Sequence, residues 1–227
     1  MPALALLAHG AGSCPATALR LLGPAVPVGV EIRAIDARGT VDDVVARMET
    51  EARGRDVALV AGISLGAHAA ALWSSRGGRT RELLLAMPAW TGAVGDVAAL
   101  TAATADDIEA FGIERVLARV TAVGGDDWVV DELGQGWRTY DDILLAATLR
   151  AAASSPGPTR DELARIAAPT VVVALDDDPL HPLAVARDWA AAVPGADLAV
   201  VGRHEPARDR GALGRAGRAV LDVRETR

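Results

Sequence analysis

Residues 57–68 read Val-Ala-Leu-Val-Ala-Gly-Ile-Ser-Leu-Gly-Ala-His and decide how the chain folds. The first five form a short apolar run, and a helical segment begins at Leu65. Between them, the motif Gly62-Ile-Ser-Leu-Gly66 lies where a buried strand turns sharply into a helix. Such a turn brings backbone close to Ser64 from both sides, which leaves no room for side chains at positions 62 and 66. The stretch therefore predicts a strand–turn–helix unit that presents the Ser64 hydroxyl at the carboxyl edge of a parallel sheet.

The rest of the chain repeats this alternation of apolar runs and helical segments, which is typical of parallel strands joined by crossover helices. The apolar runs are continuous, as expected of strands buried on both faces. The predicted strands lie near Leu4–Ala8, Val28–Ile35, Val57–Ala61, Leu83–Met87, Thr170–Leu175 and Asp197–Val201. The predicted helices are Pro15–Leu22, Val41–Arg53, Leu65–Ser75, Leu180–Ala192 and Asp209–Val223. The expected fold is a doubly wound, mostly parallel six-stranded α/β sheet.

Residues 88–169 interrupt the alternation. They carry helical patterns near Asp106–Val120 and Tyr140–Ala153 and no clear strand signal. Ser154–Pro158 is a loop returning to the core, and Thr159 opens a short helix with a capping pattern. We therefore expect a core made of residues 1–87 and 159–227, with a helical cap inserted at residues 88–158.

Composition excludes several classes of chemistry. The 227 residues are 51% hydrophobic and 23% charged, which suits one globular domain with a large insertion. The net charge of −7 argues against nucleic acid as a partner. The sequence contains no lysine, so it has no Schiff-base nucleophile, no pyridoxal-phosphate aldimine and no P-loop lysine. We expect no cofactor.

Cysteine usage and hydropathy predict a cytoplasmic protein. Cys14 is the only cysteine, so no internal disulfide and no cysteine-rich metal site are possible, and we expect a small buried side chain there. Residues 1–8 are apolar but lack the basic region and the length of a signal peptide. No apolar run reaches the length of a membrane span, so no membrane is expected as a partner. The acid pairs in the insertion lack further ligands at compatible spacing, so no bound metal is expected either.

Three more stretches place polar groups at the sheet edge that carries Ser64. His9-Gly-Ala-Gly12 follows the first strand, and the backbone N–H groups of Ala11 and Leu65 could stabilise a developing oxyanion. Three consecutive acids, Asp176 to Asp178, follow the next-to-last strand; Asp178 is the preferred carboxylate, with Asp176 and Asp177 as alternatives.

The third of these stretches contains a histidine and follows the last strand. Of the four histidines, at positions 9, 68, 181 and 204, His204 alone lies in that loop, so it is the preferred general base. His9 is interpreted as structural.

The order Ser64, Asp178, His204 and its strand contexts resemble the α/β-hydrolase fold family over nearly the whole chain. The resemblance implies that Ser64 is the nucleophile, His204 the general base and then acid, and Asp178 the orienting carboxylate. It also implies an oxyanion hole at the Ala11 and Leu65 amides. Because the first predicted strand leads directly into the oxyanion loop, we expect no counterpart of the antiparallel hairpin that opens the fuller fold.

The serine narrows the activity that the resemblance implies. Family members that are dehalogenases or epoxide hydrolases carry aspartate at the elbow, so those activities are disfavoured here. We expect a hydrolase of a small, hydrophobic ester, thioester or lactone. A non-hydrolytic cyclase or lyase of the same fold is the alternative, and a non-enzymatic binding protein is a third reading.

Aromatic residues in the insertion suggest where such a substrate binds. They either line an apolar pocket or only fix the cap to the core. The sequence does not indicate an oligomeric state. The candidates are Trp90, Trp128, Trp137 and Tyr140.

Overall fold

The computed structural model describes residues 2–124 and 127–225 and contains one six-stranded sheet within them. Every pair of neighbouring strands is parallel. The sheet order is β2-β1-β3-β4-β5-β6, so the chain winds outward in both directions from its centre. The strands are β1 (Leu4–Ala8), β2 (Glu31–Ile35), β3 (Val57–Ile63), β4 (Glu82–Ala86), β5 (Thr170–Leu175) and β6 (Asp197–Val201).

Eleven α-helices and one 3-10 turn over Gly23–Ala25 lie within the described residues. No helix in these parts of the chain is long and apolar enough to cross a membrane. The helices are α1 (Pro15–Leu22), α2 (Val41–Ala52), α3 (Leu65–Ser75), α4 (Asp96–Phe111), α5 (Ile113–Gly124), α6 (Trp128–Trp137), α7 (Asp142–Ser154), α8 (Arg160–Leu163), α9 (Leu183–Ala192), α10 (Glu205–Arg208) and α11 (Ala212–Glu225).

The sheet is covered on both faces, as its continuous apolar strands predict. Alternate residues of β1 belong to different cores: Leu4 and Leu6 contact the side of α2, α3 and α9, whereas Ala5 and Leu7 contact the side of α1 and α11. This doubly wound arrangement confirms the predicted fold class. It also brings the carboxyl ends of all six strands to one edge, where the loops that carry chemistry meet.

Strand and helix bounds in the core agree closely with the prediction. β2 begins at Glu31 rather than Val28, because Pro27 and Gly29 hold the preceding residues in a turn in which Val30 donates to the Pro27 carbonyl. Thr159 and Glu162 form the predicted capping box on α8, and Thr40 and Asp43 form another on α2.

The region between β4 and α8 contains more helix than the sequence predicts. Helices α4 to α7 lie there and share a core of their own around Ile108, Leu117 and Leu145. The predicted helix Asp106–Val120 is divided at Gly112, whose φ of +80° ends α4 before α5 begins. Helix α6 was not predicted, because two glycines interrupt its pattern.

Candidate active site

Ser64 lies on the sharp turn between β3 and α3 that the sequence predicts. It has a φ of +55° and a ψ of −118°, a strained conformation for a residue with a side chain. A Cβ at position 62 would lie 2.1 Å from the Gly66 carbonyl oxygen, and a Cβ at position 66 would lie 2.4 Å from the Ala8 carbonyl oxygen. Both glycines are therefore required by the close approach of backbone, and the turn holds the Ser64 hydroxyl at the carboxyl edge of the sheet.

His181 lies between Ser64 and Asp178. Its Nε2 is 3.0 Å from Ser64 Oγ, and its Nδ1 is 3.1 Å from Asp178 Oδ2. A carboxylate can only accept, so the neutral imidazole carries its proton on Nδ1 and leaves Nε2 free to accept the serine proton. The three side chains therefore form a continuous serine–histidine–aspartate relay.

A turn made by Asp178 brings His181 into this position. The Asp178 side chain accepts a hydrogen bond from the Leu180 N–H at 2.9 Å, which folds the chain back over the carboxylate. Helix α9 begins only at Leu183, after Pro182, so His181 belongs to the loop and not to the helix predicted from Leu180. The same carboxylate thus shapes the loop and binds the histidine.

Asp178 is buried, with 6% of its surface exposed, and is surrounded by compensating groups. Burial by itself raises the pKa of Asp178, but the hydrogen bond and charge of His181, the Leu180 N–H and the charge of Arg203 outweigh it and lower that pKa. The nearest guanidinium nitrogen of Arg203 is 3.5 Å from the carboxylate. Asp178 is therefore ionised and able to stabilise a positively charged His181.

The two alternative acids have other positions. Asp176 and Asp177 are both exposed, and the Asp176 side chain accepts a hydrogen bond from the Arg203 N–H. Asp177 adopts a φ of +50°, a conformation that aspartate tolerates better than most residues. Of the three acids, the structure brings Asp178 to the histidine.

The structure does not bring His204 to Ser64, and this expectation is corrected. His204 is exposed and precedes the short helix α10. The preceding residue, Arg203, is fixed by contacts of its own: its carbonyl accepts from Trp128 Nε1 at 2.9 Å, and its guanidinium pairs with Asp127 at 2.7 Å. The histidine that contacts the serine is His181, three residues after Asp178.

The loop after β1 lies against Ser64, as predicted. A Cβ built on Gly10 would lie 3.2 Å from Ser64 Cβ, so the loop backbone approaches the serine closely. The N–H groups of Ala11 and Leu65 donate to no partner among the described residues, and both residues line the cavity above Ser64. Two free amides beside a nucleophile are the elements of an oxyanion hole.

His9 fixes this loop. It is fully buried; its Nδ1 donates to the Gly10 carbonyl at 2.8 Å, and its Nε2 accepts the Ala37 N–H at 2.9 Å. Burial lowers the pKa of His9 and keeps it neutral, which this pattern of one donor and one acceptor requires. His9 is structural, as its sequence context suggests, and Cys14 nearby is buried and free.

A cavity of about 270 Å³ opens above Ser64 and is mainly apolar. It lies between the sheet edge and the helices that follow β4, and α4, α6 and α7 all contribute to its walls. Trp90, Trp128 and Trp137 line it. Tyr140 does not, and this candidate is corrected: its hydroxyl donates to the Ser13 carbonyl at 2.7 Å and its ring packs under Arg38.

Sequence reasoning missed two residues of the site, His181 and Arg203. The signal for His181 was its position between Pro179 and Pro182, which favours a loop over the helix start that was predicted. Arg203 had no signal in the sequence. No group of His, Cys, Asp and Glu among the described residues is arranged to hold a metal ion.

The parallel six-stranded sheet, the strained serine turn and the loops at its carboxyl edge together define the α/β-hydrolase fold, with a serine–histidine–aspartate relay at its centre. The fold is thus the one that the resemblance implies. No protein-family model matches the sequence, and a search of curated proteins finds no significant match.

Solved structures with this fold resemble the chain closely in shape. An acetylester hydrolase from Corynebacterium glutamicum superposes with a TM-score of 0.77 at 15% identity, over 98% of this chain and 85% of that one. A hydrolase from Pseudomonas aeruginosa superposes with a TM-score of 0.73 at 20% identity, over 97% of this chain and 90% of that one. The enol-lactonase from Burkholderia xenovorans superposes with a TM-score of 0.70 at 14% identity, over 100% of this chain and 90% of that one. At these identities the likeness establishes the fold.

Proposed function

We propose that this chain is a cofactor-independent serine hydrolase that cleaves a small ester, thioester or lactone through an acyl-enzyme. The observation that carries the proposal is the relay in which His181 Nε2 lies 3.0 Å from Ser64 Oγ while its Nδ1 lies 3.1 Å from Asp178. The names of the solved structures of similar shape, an acetylester hydrolase and an enol-lactonase among them, support the same class of reaction.

In the proposed mechanism Ser64 Oγ attacks the substrate carbonyl carbon while His181 Nε2 accepts the hydroxyl proton. The carbonyl oxygen becomes an oxyanion, which the Ala11 and Leu65 N–H groups stabilise. Asp178 stabilises the positive charge on His181. When the tetrahedral intermediate collapses, His181 donates its proton to the leaving oxygen or sulfur, and the acyl group stays on Ser64.

Water completes the cycle. His181 accepts a proton from a water molecule as that water attacks the acyl carbon, and the second tetrahedral intermediate is stabilised by the same two amides. Its collapse releases the carboxylic acid and returns the proton from His181 to Ser64 Oγ. Each step uses only groups of this chain, the substrate and water.

In this proposal residues 88–158 act as the cap over the reaction site. Helices α4, α6 and α7 close the cavity from above, and its 270 Å³ limits the substrate to a small molecule. The apolar side chains of Leu100 and Val97 on α4 and of Leu149 on α7 line it, which favours a hydrophobic substrate body.

The test combines turnover with labelling. A panel of p-nitrophenyl esters, acyl thioesters and lactones is assayed with the wild-type chain and with Ser64→Ala, and both are treated with a fluorophosphonate. We expect turnover and one adduct by intact mass for the wild type, and neither for a folded Ser64→Ala variant. Turnover retained by Ser64→Ala, or activity without any adduct, contradicts the proposal and favours a cyclase or lyase on the same fold.

A further inference from the structure

Arg203, in the loop after β6, contacts the relay and the cap at the same time. One guanidinium nitrogen lies 3.5 Å from Asp178 Oδ1, and the other terminal nitrogen donates to Asp127 Oδ2 at 2.7 Å. The Arg203 carbonyl accepts from Trp128 Nε1 at 2.9 Å, and the Arg203 N–H donates to the Asp176 side chain. The side chain and backbone of one residue thus join the loop after β5 to the start of helix α6.

Arg203 faces the oxygen of Asp178 that does not bind the histidine. Asp178 Oδ2 lies beside His181 Nδ1, whereas Oδ1 accepts from the Leu180 N–H at 2.9 Å and faces the guanidinium. Of these three partners, only Arg203 comes from outside the loop after β5. Burial raises the pKa of Asp178, and the charge of Arg203 is among the effects that lower it. The guanidinium therefore helps both to orient the carboxylate and to keep it ionised.

Asp127 and Trp128 form the start of the cap helix α6. Asp127 is the N-cap, since its side chain accepts from the Val129 N–H at 2.9 Å, and Trp128 is the first residue of the helix. Trp128 is buried and lines the cavity. Because Arg203 contacts both residues, it fixes where α6 begins and hence where the Trp128 ring forms part of the cavity wall.

The ion pairs of Arg203 are largely shielded from solvent. The side chains of Arg203 and Asp127 are 20% and 22% exposed, and that of Asp178 is 3% exposed. Charges in such positions are screened less by water and salt than exposed charges are. A second pair on the same helix differs in this respect: Arg210 lies 3.1 Å from Asp131, which is 61% exposed, and neither contacts the relay within the described residues.

His68, on α3, is the other titratable ring that interacts with the relay. Its Nε2 accepts the Ala89 N–H at 3.2 Å, and the residue is buried. Burial, with a smaller effect of the His181 charge, lowers the pKa of His68 to about 3. His68 therefore stays neutral at the pH values at which a histidine base operates.

The acidic side chains near the relay, apart from Asp178, are exposed or already paired with an arginine. They are Asp127, Glu132, Asp176 and Asp177. Within the described parts of the chain, Arg203 is thus the cation at the Asp178 carboxylate while His181 is neutral.

We infer that Arg203 is a positioning residue of the relay, which orients the Asp178 carboxylate and fixes the start of helix α6 beside it. The cap and the catalytic groups then depend on the same side chain. This inference rests on the proposed hydrolase function, and Arg203 acts on the reaction through Asp178. Because Arg203 carries a positive charge, its loss stabilises protonated His181, whereas loss of the negative charge of Asp127 has the opposite effect.

The pH at which His181 is half protonated reports these charges. It is measured by NMR titration of the histidine Cε1–H signals in the Ser64→Ala background, which needs no turnover, and the His181 signal is identified by its loss in His181→Gln. The acid limb of kcat/KM for the best ester gives a second midpoint in proteins that retain Ser64. The variants are Arg203→Met, Arg203→Lys and Asp127→Asn, with Arg210→Met and Asp131→Asn as matched controls.

We expect the midpoint to rise by about half a pH unit or more in Arg203→Met and to fall by about 0.2 units or more in Asp127→Asn, in which asparagine still caps α6. Arg203→Lys keeps a positive charge, so its midpoint stays closer to that of the parent protein than the midpoint of Arg203→Met does. Arg210→Met and Asp131→Asn alter the second ion pair of the same helix and shift the midpoint by about 0.1 units or less. A cap that is merely loosened does not produce shifts of opposite sign.

The outcomes separate this inference from the proposed function. No upward shift in Arg203→Met, or an equal shift in Arg210→Met, overturns the inference, and an unchanged or raised midpoint in Asp127→Asn overturns the link to the cap. If Arg203→Met does not fold, Arg203→Gln takes its place. The expected NMR shifts support the inference even if the wild type hydrolyses no ester, whereas turnover without them overturns it and leaves the hydrolase proposal standing.

Discussion

Asp178 and His181 lie three residues apart in one loop after β5, and Asp178 Oδ2 is 3.1 Å from His181 Nδ1. One turn of backbone therefore supplies both the histidine and the carboxylate that orients it. The Leu180 N–H, which donates to the other oxygen of Asp178, fixes their spacing. Ser64, on a separate element, then needs only to meet His181 Nε2.

The first prediction distinguishes the two histidines. His181→Ala removes the group that accepts the Ser64 proton, so we expect kcat to fall by about a thousandfold or more. His204→Ala is the matched control: the side chain is exposed and makes no contact with Ser64, so we expect kcat within about twofold of the wild type. Both are measured on the best ester of the panel. A large loss in His204→Ala with activity kept in His181→Ala contradicts the proposed roles.

The second prediction concerns the three consecutive acids. Asp178→Asn keeps the size of the side chain but removes the charge that stabilises protonated His181, so we expect kcat to fall by about a hundredfold to ten-thousandfold. Asp177→Asn is the control, because Asp177 is exposed and asparagine also tolerates its φ of +50°. Steady-state kinetics under identical conditions give both values. Equal losses in the two variants argue against Asp178 as the orienting carboxylate.

The third prediction tests the turn that positions Ser64. Gly62→Ala introduces a Cβ that meets the Gly66 carbonyl oxygen at 2.1 Å, so we expect loss of about 4 kcal/mol or more of unfolding free energy, or no soluble protein. Gly23→Ala is the control, because Gly23 has a φ of −51° and no neighbour within 4 Å of the added atom. Its unfolding free energy stays the same or rises by about 0.5 kcal/mol. Urea unfolding measures both, and a stable, active Gly62→Ala contradicts the geometry of the turn.

The core of the fold could be predicted because its signals are local. Continuous apolar runs such as residues 170–175 and the caps at Thr40 and Thr159 depend on neighbours within a few positions. The serine turn depends on Gly62 and Gly66, which lie two positions before and after Ser64 in the sequence. The sequence predicts these features well because they depend little on how distant parts of the chain pack.

The identity of the histidine could not be predicted because it depends on contacts between distant segments. His204 occupies the loop that the fold family suggests, but its side chain is exposed, and the neighbouring Arg203 is fixed by Trp128 and Asp127, which are far away in the sequence. His181 reaches Ser64 because the Asp178 side chain accepts from the Leu180 N–H and folds the loop back. The run of three acids does not indicate which of them makes this turn. Helix α6, which carries Trp128, could not be predicted either, because two glycines interrupt its helical pattern.

The last prediction concerns stability in acid. His68 is buried and neutral with a pKa of about 3, whereas a histidine in the unfolded chain has a pKa of about 6.5. Below about pH 6.5 the unfolded chain therefore binds one more proton at this position than the folded one, and the unfolding free energy falls as the pH falls. The stability that the neutral His68 contributes is fully present above the unfolded pKa. It is lost at about 1.4 kcal/mol per pH unit as the pH falls from the unfolded pKa to the folded one. His68→Gln, which can still accept the Ala89 N–H, removes it, so we expect a shallower decline between pH 6 and 4 in urea unfolding. His204→Gln, at an exposed site, keeps the wild-type slope, and equal slopes in all three proteins contradict a neutral, buried His68.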